Sequence, residues 1–186
     1  MLYTIQSSAP GEKIVHVGRF HPIYTIAAIS NIVFGVIFMG LIYAGAIYTQ
    51  IKTGANLGAP ITQGESWFQV ILGLRWPIHM VALGLLAVGV LKFTHMLLVR
   101  ASTEIAVTTE RVVYKSGVIA RYVGEMNIER IEGVNVFQSI LGRLFNFGSV
   151  VIHGMGVGQI ILPAVMVDPV KFRRAVEYAH TLKEGH

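Results

Sequence analysis

Cysteine is absent from the 186 residues. That removes structural disulfides, thiolate nucleophiles, Cys-ligated zinc and Cys-held iron–sulfur clusters from the available chemistry. Charge is scarce as well: Asp, Glu, Lys and Arg make up 13% of the chain, against about 25% in an average soluble domain. With 53% hydrophobic residues and a mean hydropathy of +0.60, much of the apolar surface must face lipid. Common catalytic signatures are missing too, with no Walker loop, no His-Glu-x-x-His and no Gly-x-Ser-x-Gly. The cluster Gly154-Met155-Gly156-Val157-Gly158 lacks dinucleotide spacing and joins two predicted strands, so it reads as a hairpin turn. Glu125, Glu129 and Glu132 read as a solvated strand edge. The chain is expected to be no enzyme and to carry no cofactor.

What is present begins with a charge-free run. No Asp, Glu, Lys or Arg occurs over residues 22–51, and about 20 apolar residues suffice to cross a ~30 Å hydrocarbon layer. This predicts a first transmembrane helix. Residues 1–21 carry Glu12, Lys13, Arg19 and a Ser-Ser-Ala-Pro-Gly turn, without the apolar core and cleavage site of a removable signal. They are taken as a cytoplasmic N-terminal segment. A second apolar stretch is interrupted by Arg75-Trp76-Pro77. Proline fits the first turn of a helix and disrupts an interior, which predicts a second span over 77–99. Residues 52–76 then form a loop with an interfacial segment at 67–74, anchored by Trp67, Arg75 and Trp76. One continuous kinked helix over 66–99 is the competing reading. Near the helix ends, Lys13, Arg19, Lys92 and Arg100 stand against Lys52 and Arg75. This bias places both termini in the cytoplasm of a multi-pass bacterial inner-membrane protein.

Within the spans, Asn31 falls near the bilayer centre and needs a hydrogen-bond partner. Asn31, Gly35, Gly40 and Ala44 on the first span, with Gly84 and Ala87 on the second, are candidates for close helix packing, within the hairpin or against another protein. His21 and His95 are expected at similar depth. They are weak candidates for a bis-His haem site in a haem- or quinone-associated redox subunit, and no metal site is otherwise indicated.

From residue 100 the pattern turns to period-two alternation. Strands are predicted over 103–108, 111–116, 120–128, 133–137, 149–153 and 159–165. Asp168-Pro169 then opens a helix that places Phe172, Ala175, Val176, Ala179 and Leu182 on one face. Between strands, residues 139–145 are expected to make a helical turn that buries Ile140, Leu141 and Leu144 and exposes Arg143. The succession Thr108-Thr109-Glu110-Arg111-Val112-Val113, Lys115-Ser116-Gly117, residues 126–136, Gln138-Ser139-Ile140-Leu141-Gly142-Arg143, Phe147-Gly148 and Asp168-Pro169 resembles the bacterial pleckstrin-homology (PH) family, in its membrane-anchored members with two spans. The resemblance covers about 101–180 and implies an α+β barrel of two antiparallel sheets with a C-terminal capping helix, occupying 100–186.

The formal charge of +5 does not point to nucleic acid, because residues 100–186 hold ten Lys and Arg against eight Asp and Glu and no basic aromatic stripe. Lys92, Arg100, Lys171, Arg173 and Arg174 are candidates for lipid headgroups or an acidic partner. The expected role is a membrane-anchored accessory, scaffold or assembly subunit contacting another membrane protein or further copies of itself. The alternative is an anionic-lipid-binding module at the cytoplasmic surface.

Overall fold

The structure, a computed structural model, describes residues 11–62, 64–156, 158–163 and 166–184. Residues 7–10 of the expected N-terminal turn, Val157 of the glycine-rich hairpin and Ala164-Val165 of the last expected strand lie outside them. The chain divides into two compact units, one of Ile26–Leu97 and one of Met1–Thr25 with Leu98–His186.

The first unit is built on α1 (Pro22–Thr53) and α3 (Trp76–Ser102), both long and apolar enough to cross a membrane. Pro22 opens α1 because its missing N–H falls where a helix has no use for one. Gly54, with φ of +65°, ends it. The short α2 (Trp67–Leu72) is separate from α3 and carries a Ser66–Gln69 capping box. The continuous helix over 66–99 is therefore not formed. Residues 73–75 leave the helical path to pair with the preceding loop: Ala59 N–H donates to the Gly73 carbonyl at 2.8 Å and Arg75 N–H to that of Leu57 at 2.8 Å.

The second unit holds eight strands among the described residues: β1 (Ile14–Gly18), β2 (Glu104–Thr108), β3 (Arg111–Ser116), β4 (Tyr122–Asn127), β5 (Ile131–Phe137), β6 (Phe147–Gly154), β7 (Gly158–Ile161) and β8 (Met166–Val167). One antiparallel sheet has the order β1-β2-β3-β4. The other runs β5-β6-β7, with β8 also on β6. The short α4 (Ile140–Phe145) links β5 to β6, and α5 (Pro169–Glu184) closes the chain. Ile105, Val107, Val112, Met126, Ile128, Val150 and Ile152 line the inner faces, and α5 buries Phe172, Val176 and Ala179 against them. Leu182, expected on that face, is exposed, because the last turn of α5 runs past the core.

Two differences from the sequence reading matter for function. No strand was expected before residue 103, yet β1 pairs with β2 from Ile14↔Thr108 to Gly18↔Ile105. The long helices are thus inserted between two hydrogen-bonded neighbouring strands. The second difference is α4, whose Ile140, Leu141 and Leu144 are exposed while Gly142 is the buried member. The helix folds back on Phe147, whose carbonyl would lie 2.6 Å from a Cβ at 142. Gly142 therefore faces the protein, and its large neighbours are turned outward.

Candidate functional site

In the helical unit the buried positions are Ala28 and Gly35 on α1, with Ala82 and Gly89 on α3. Each pair is seven residues apart and so shares a helix face. A Cβ at Gly89 would lie 2.5 Å from the Asn31 backbone oxygen, and one at Gly35 would lie 3.4 Å from Leu86 Cα. The main chains approach as closely as small residues allow. The Asn31 side-chain amide donates to the carbonyl of Ala27 at 2.7 Å, on its own helix, and lies 3.5 Å from Met96 Sδ. Asn31 and Gly35 therefore sit at the crossing. Gly40, Ala44, Gly84 and Ala87 are exposed outside it. The positions not singled out from sequence, Ala28, Ala82 and Gly89, had a readable signal in their matched seven-residue spacing.

At the loop end of this unit Trp67, Arg75 and Trp76 are exposed. His79 Nε2 is 3.1 Å from the Leu74 carbonyl and its Nδ1 is 3.2 Å from the Tyr43 hydroxyl. A carbonyl only accepts, so Nε2 carries the proton and Nδ1 accepts from Tyr43. That relay ties α1 to the start of α3.

The first turn of α1 and the last turn of α3 belong to the stranded unit. There the His21 Nδ1 accepts the Ile23 N–H at 3.1 Å, as an N-cap, and its ring lies 5.4 Å from that of Phe147. The Arg100 guanidinium donates to the Thr25 hydroxyl. His95 and Lys92 are exposed on α3. His21 is thus occupied in capping, and among the described residues no group of three or more His, Asp or Glu could hold a metal ion.

The basic residues at the start of α5 have local partners. Lys171 pairs with Asp168 at 2.6 Å and Arg173 with Glu177 at 2.7 Å, while Arg174 is exposed. Burial acts to raise the Asp168 carboxyl, but hydrogen bonds from Lys171 and Asn146 and the Lys171 charge outweigh it and hold the group below its ordinary value. Burial is also the main cause that pushes His16 below its usual value. The Asp168 charge opposes this, the Lys171 charge adds to it, and the ring meets Phe172 edge-on at 5.9 Å. Both groups bind protons more weakly folded than unfolded, so both contribute stability that is present at neutral pH and lost on acidification. His16 acts first, as pH falls below 6.5, and Asp168 follows below 3.8. Thermal melts of the full chain in detergent should therefore show a midpoint that falls from pH 7 to 5, and His16→Gln should flatten that slope. An unchanged slope would remove His16 from the account.

At the opposite end of the domain from His21, Lys183 pairs with Glu110 at 2.5 Å and Glu129 at 3.1 Å, which raises its pKa. Glu12, Thr108, Arg111 and Glu125 form a second network. Arg111 meets both oxygens of Glu12 at 3.2 Å and Glu125 at 2.8 Å, and the Thr108 hydroxyl donates to Glu12 at 2.6 Å. Between β5 and α5 runs an open groove of about 580 Å³ lined by Glu132, Asn135, Glu177, His180 and Thr181.

Two antiparallel sheets closed by a C-terminal helix are the arrangement that the PH resemblance implies, and the family model described as Bacterial PH domain matches residues 13–182. This chain belongs to the bacterial PH domain family. The match begins beside β1 and runs through to α5, so it takes in the N-terminal strand as well as the region after residue 100. No curated protein and no solved structure matches the chain. PH domains are generally non-catalytic modules that bind lipids or proteins, and a common fold leaves the particular ligand open.

Proposed function

We propose that this bacterial PH protein is a non-enzymatic, membrane-anchored accessory, scaffold or assembly subunit that works through protein–protein contacts. In this reading α1 and α3 span the bacterial inner membrane as a hairpin, with both termini and the PH domain in the cytoplasm. The observation that carries it is the insertion of the two long helices between the paired strands β1 and β2. A domain tethered at one terminus swings on its linker. One joined to its anchor through two adjacent strands has two covalent attachments to it. This raises its effective concentration toward any membrane-bound partner and makes modest contact surfaces sufficient. The Lys and Arg bias at the helix ends supports the cytoplasmic orientation.

Mass determination of the full chain after gentle extraction into lipid nanodiscs tests this. The expected particle holds a second polypeptide or several copies of this chain. A strictly monomeric, partner-free particle would overturn the scaffold reading, and protease digestion of the PH domain from outside sealed spheroplasts would overturn the orientation.

A further inference from the structure

Antiparallel pairing sorts the loops of the PH domain onto two ends. β1 leads through His21 into α1, and β2 begins directly after α3. The pairs Gly18↔Ile105, Glu104↔Lys115 and Ser116↔Tyr122 place the β3–β4 turn, residues 117–121, at that same end. In the second sheet Phe147 pairs with Val167, Phe20 bridges Met166, and the rings of His21 and Phe147 meet. The β5–β6 connection with α4 therefore opens at this end too.

The two ends differ in chemistry. The end opposite the β1 exit and the β2 entry carries Lys13, Glu110, Arg111, Glu129, Arg130 and Lys183, much of it ion-paired. The near end projects large apolar side chains: Ile119 is 99% exposed, Ile140 88% and Leu144 74%, with Val118, Leu141 and Phe145 beside them. A water-soluble surface does not hold such side chains at its loop tips without something to cover them. Arg19, Arg100, Arg121 and Arg143 are on the same end. Of the acidic groups there, Glu104 faces Lys115 across the sheet and Asp168 is paired with Lys171.

We propose that the β3–β4 turn and α4 are inserted into the bilayer interface, Val118, Ile119, Ile140, Leu141, Leu144 and Phe145 among the acyl chains and the neighbouring arginines at anionic headgroups. The occupant is lipid because these loops sit beside the residues that lead into α1 and out of α3. Apolar tips flanked by cations are also the composition that an anionic leaflet retains. The inference rests on the membrane-spanning reading of those helices. It adds two membrane contact points to the covalent attachments at β1 and β2.

The absence of native cysteine allows single-site labelling of the full chain in vesicles. Ile119→Cys and Leu144→Cys, each carrying an environment-sensitive fluorophore, are compared with Met155→Cys at the remote end and Phe38→Cys midway along α1. Vesicles are phosphatidylcholine with or without phosphatidylglycerol, doped with nitroxide lipids. Labels at 119 and 144 are expected to shift to the blue and to be quenched severalfold more than at 155 by shallow nitroxides, more so with phosphatidylglycerol. Labels at 119 and 144 that behave like 155, or that shift without lipid quenching as a protein contact would, overturn the insertion while quenching at 38 keeps the spans. Absence of quenching at 38 overturns both.

Discussion

Arg111→Met is expected to destabilise the PH domain by about 3–5 kcal/mol, the range for leaving one member of a buried ion pair without its partner. The Glu12 carboxylate is only 2% exposed and receives both arms of the Arg111 guanidinium. Without them the Glu12 carboxylate loses two charged donors, which the single hydroxyl proton of Thr108 cannot replace. Glu12 precedes β1 and Arg111 opens β3, so the pair clamps the N-terminal strand across β2. Hydrogen exchange of the full chain in detergent should show β1 losing protection first, followed by β2 and β3 of the same sheet. The double variant Glu12→Gln with Arg111→Met removes both charges and should recover most of the loss, since replacing a whole buried pair is often near neutral. If the single variant melts like the parent, the clamp is not a structural element.

Gly89→Leu comes next in size, with about 1–3 kcal/mol expected from forcing bulk into a packed contact. At 2.5 Å from a backbone oxygen, even a Cβ cannot be accommodated by rotating a side chain, so the helices must move apart. On the membrane-spanning reading, moving them removes the small-residue contact that holds apolar helices together where lipid offers no hydrophobic drive. Gly40→Leu is the matched control, since nothing lies within 4 Å of a Cβ there. SDS titration of the full chain in mixed micelles should lower the unfolding midpoint for position 89 and leave it nearly unchanged for position 40. Equal shifts at both positions would mean the loss reflects glycine replacement in general rather than the crossing.

How far the chain could be read depends on whether a feature is local. A helix of lipid-spanning length follows from the charge-free residues 22–51, because composition and rise per residue need no partner. β3 was placed with its observed ends, Arg111 to Ser116, since alternation and the Lys-Ser-Gly turn are both local. α5 was placed through its Asp168-Pro169 start and its 3.6-residue stripe, of which Phe172, Val176 and Ala179 are buried. The break in the second stretch was legible at Arg75-Trp76-Pro77, since proline favours a helix start, but the backbone pairing of residues 57–59 with 73–75 beside it was not. β1 escaped notice for a similar reason. Its few alternating residues acquire meaning only from β2, on the far side of the hairpin.

The candidate sites divide along the same line. Asn31 and Gly35 could be proposed from polarity and size alone. That Gly89 faces them, and Gly84 does not, depends on the rotation of one helix against the other. The Glu12–Arg111 pair joins residues 99 apart in sequence, with no spacing rule to announce it. α4 reverses its expected orientation because Gly142, and not its larger neighbours, fits against Phe147. By itself the order of residues determined the apolar helices, most strands, the closing helix and the absence of thiol chemistry, all of which arise from short-range periodicity and composition. Only the tertiary structure decided that the hairpin divides two paired strands and that α4 turns its apolar side outward, because strand pairing and side-chain fit are set by groups the chain brings together from far apart.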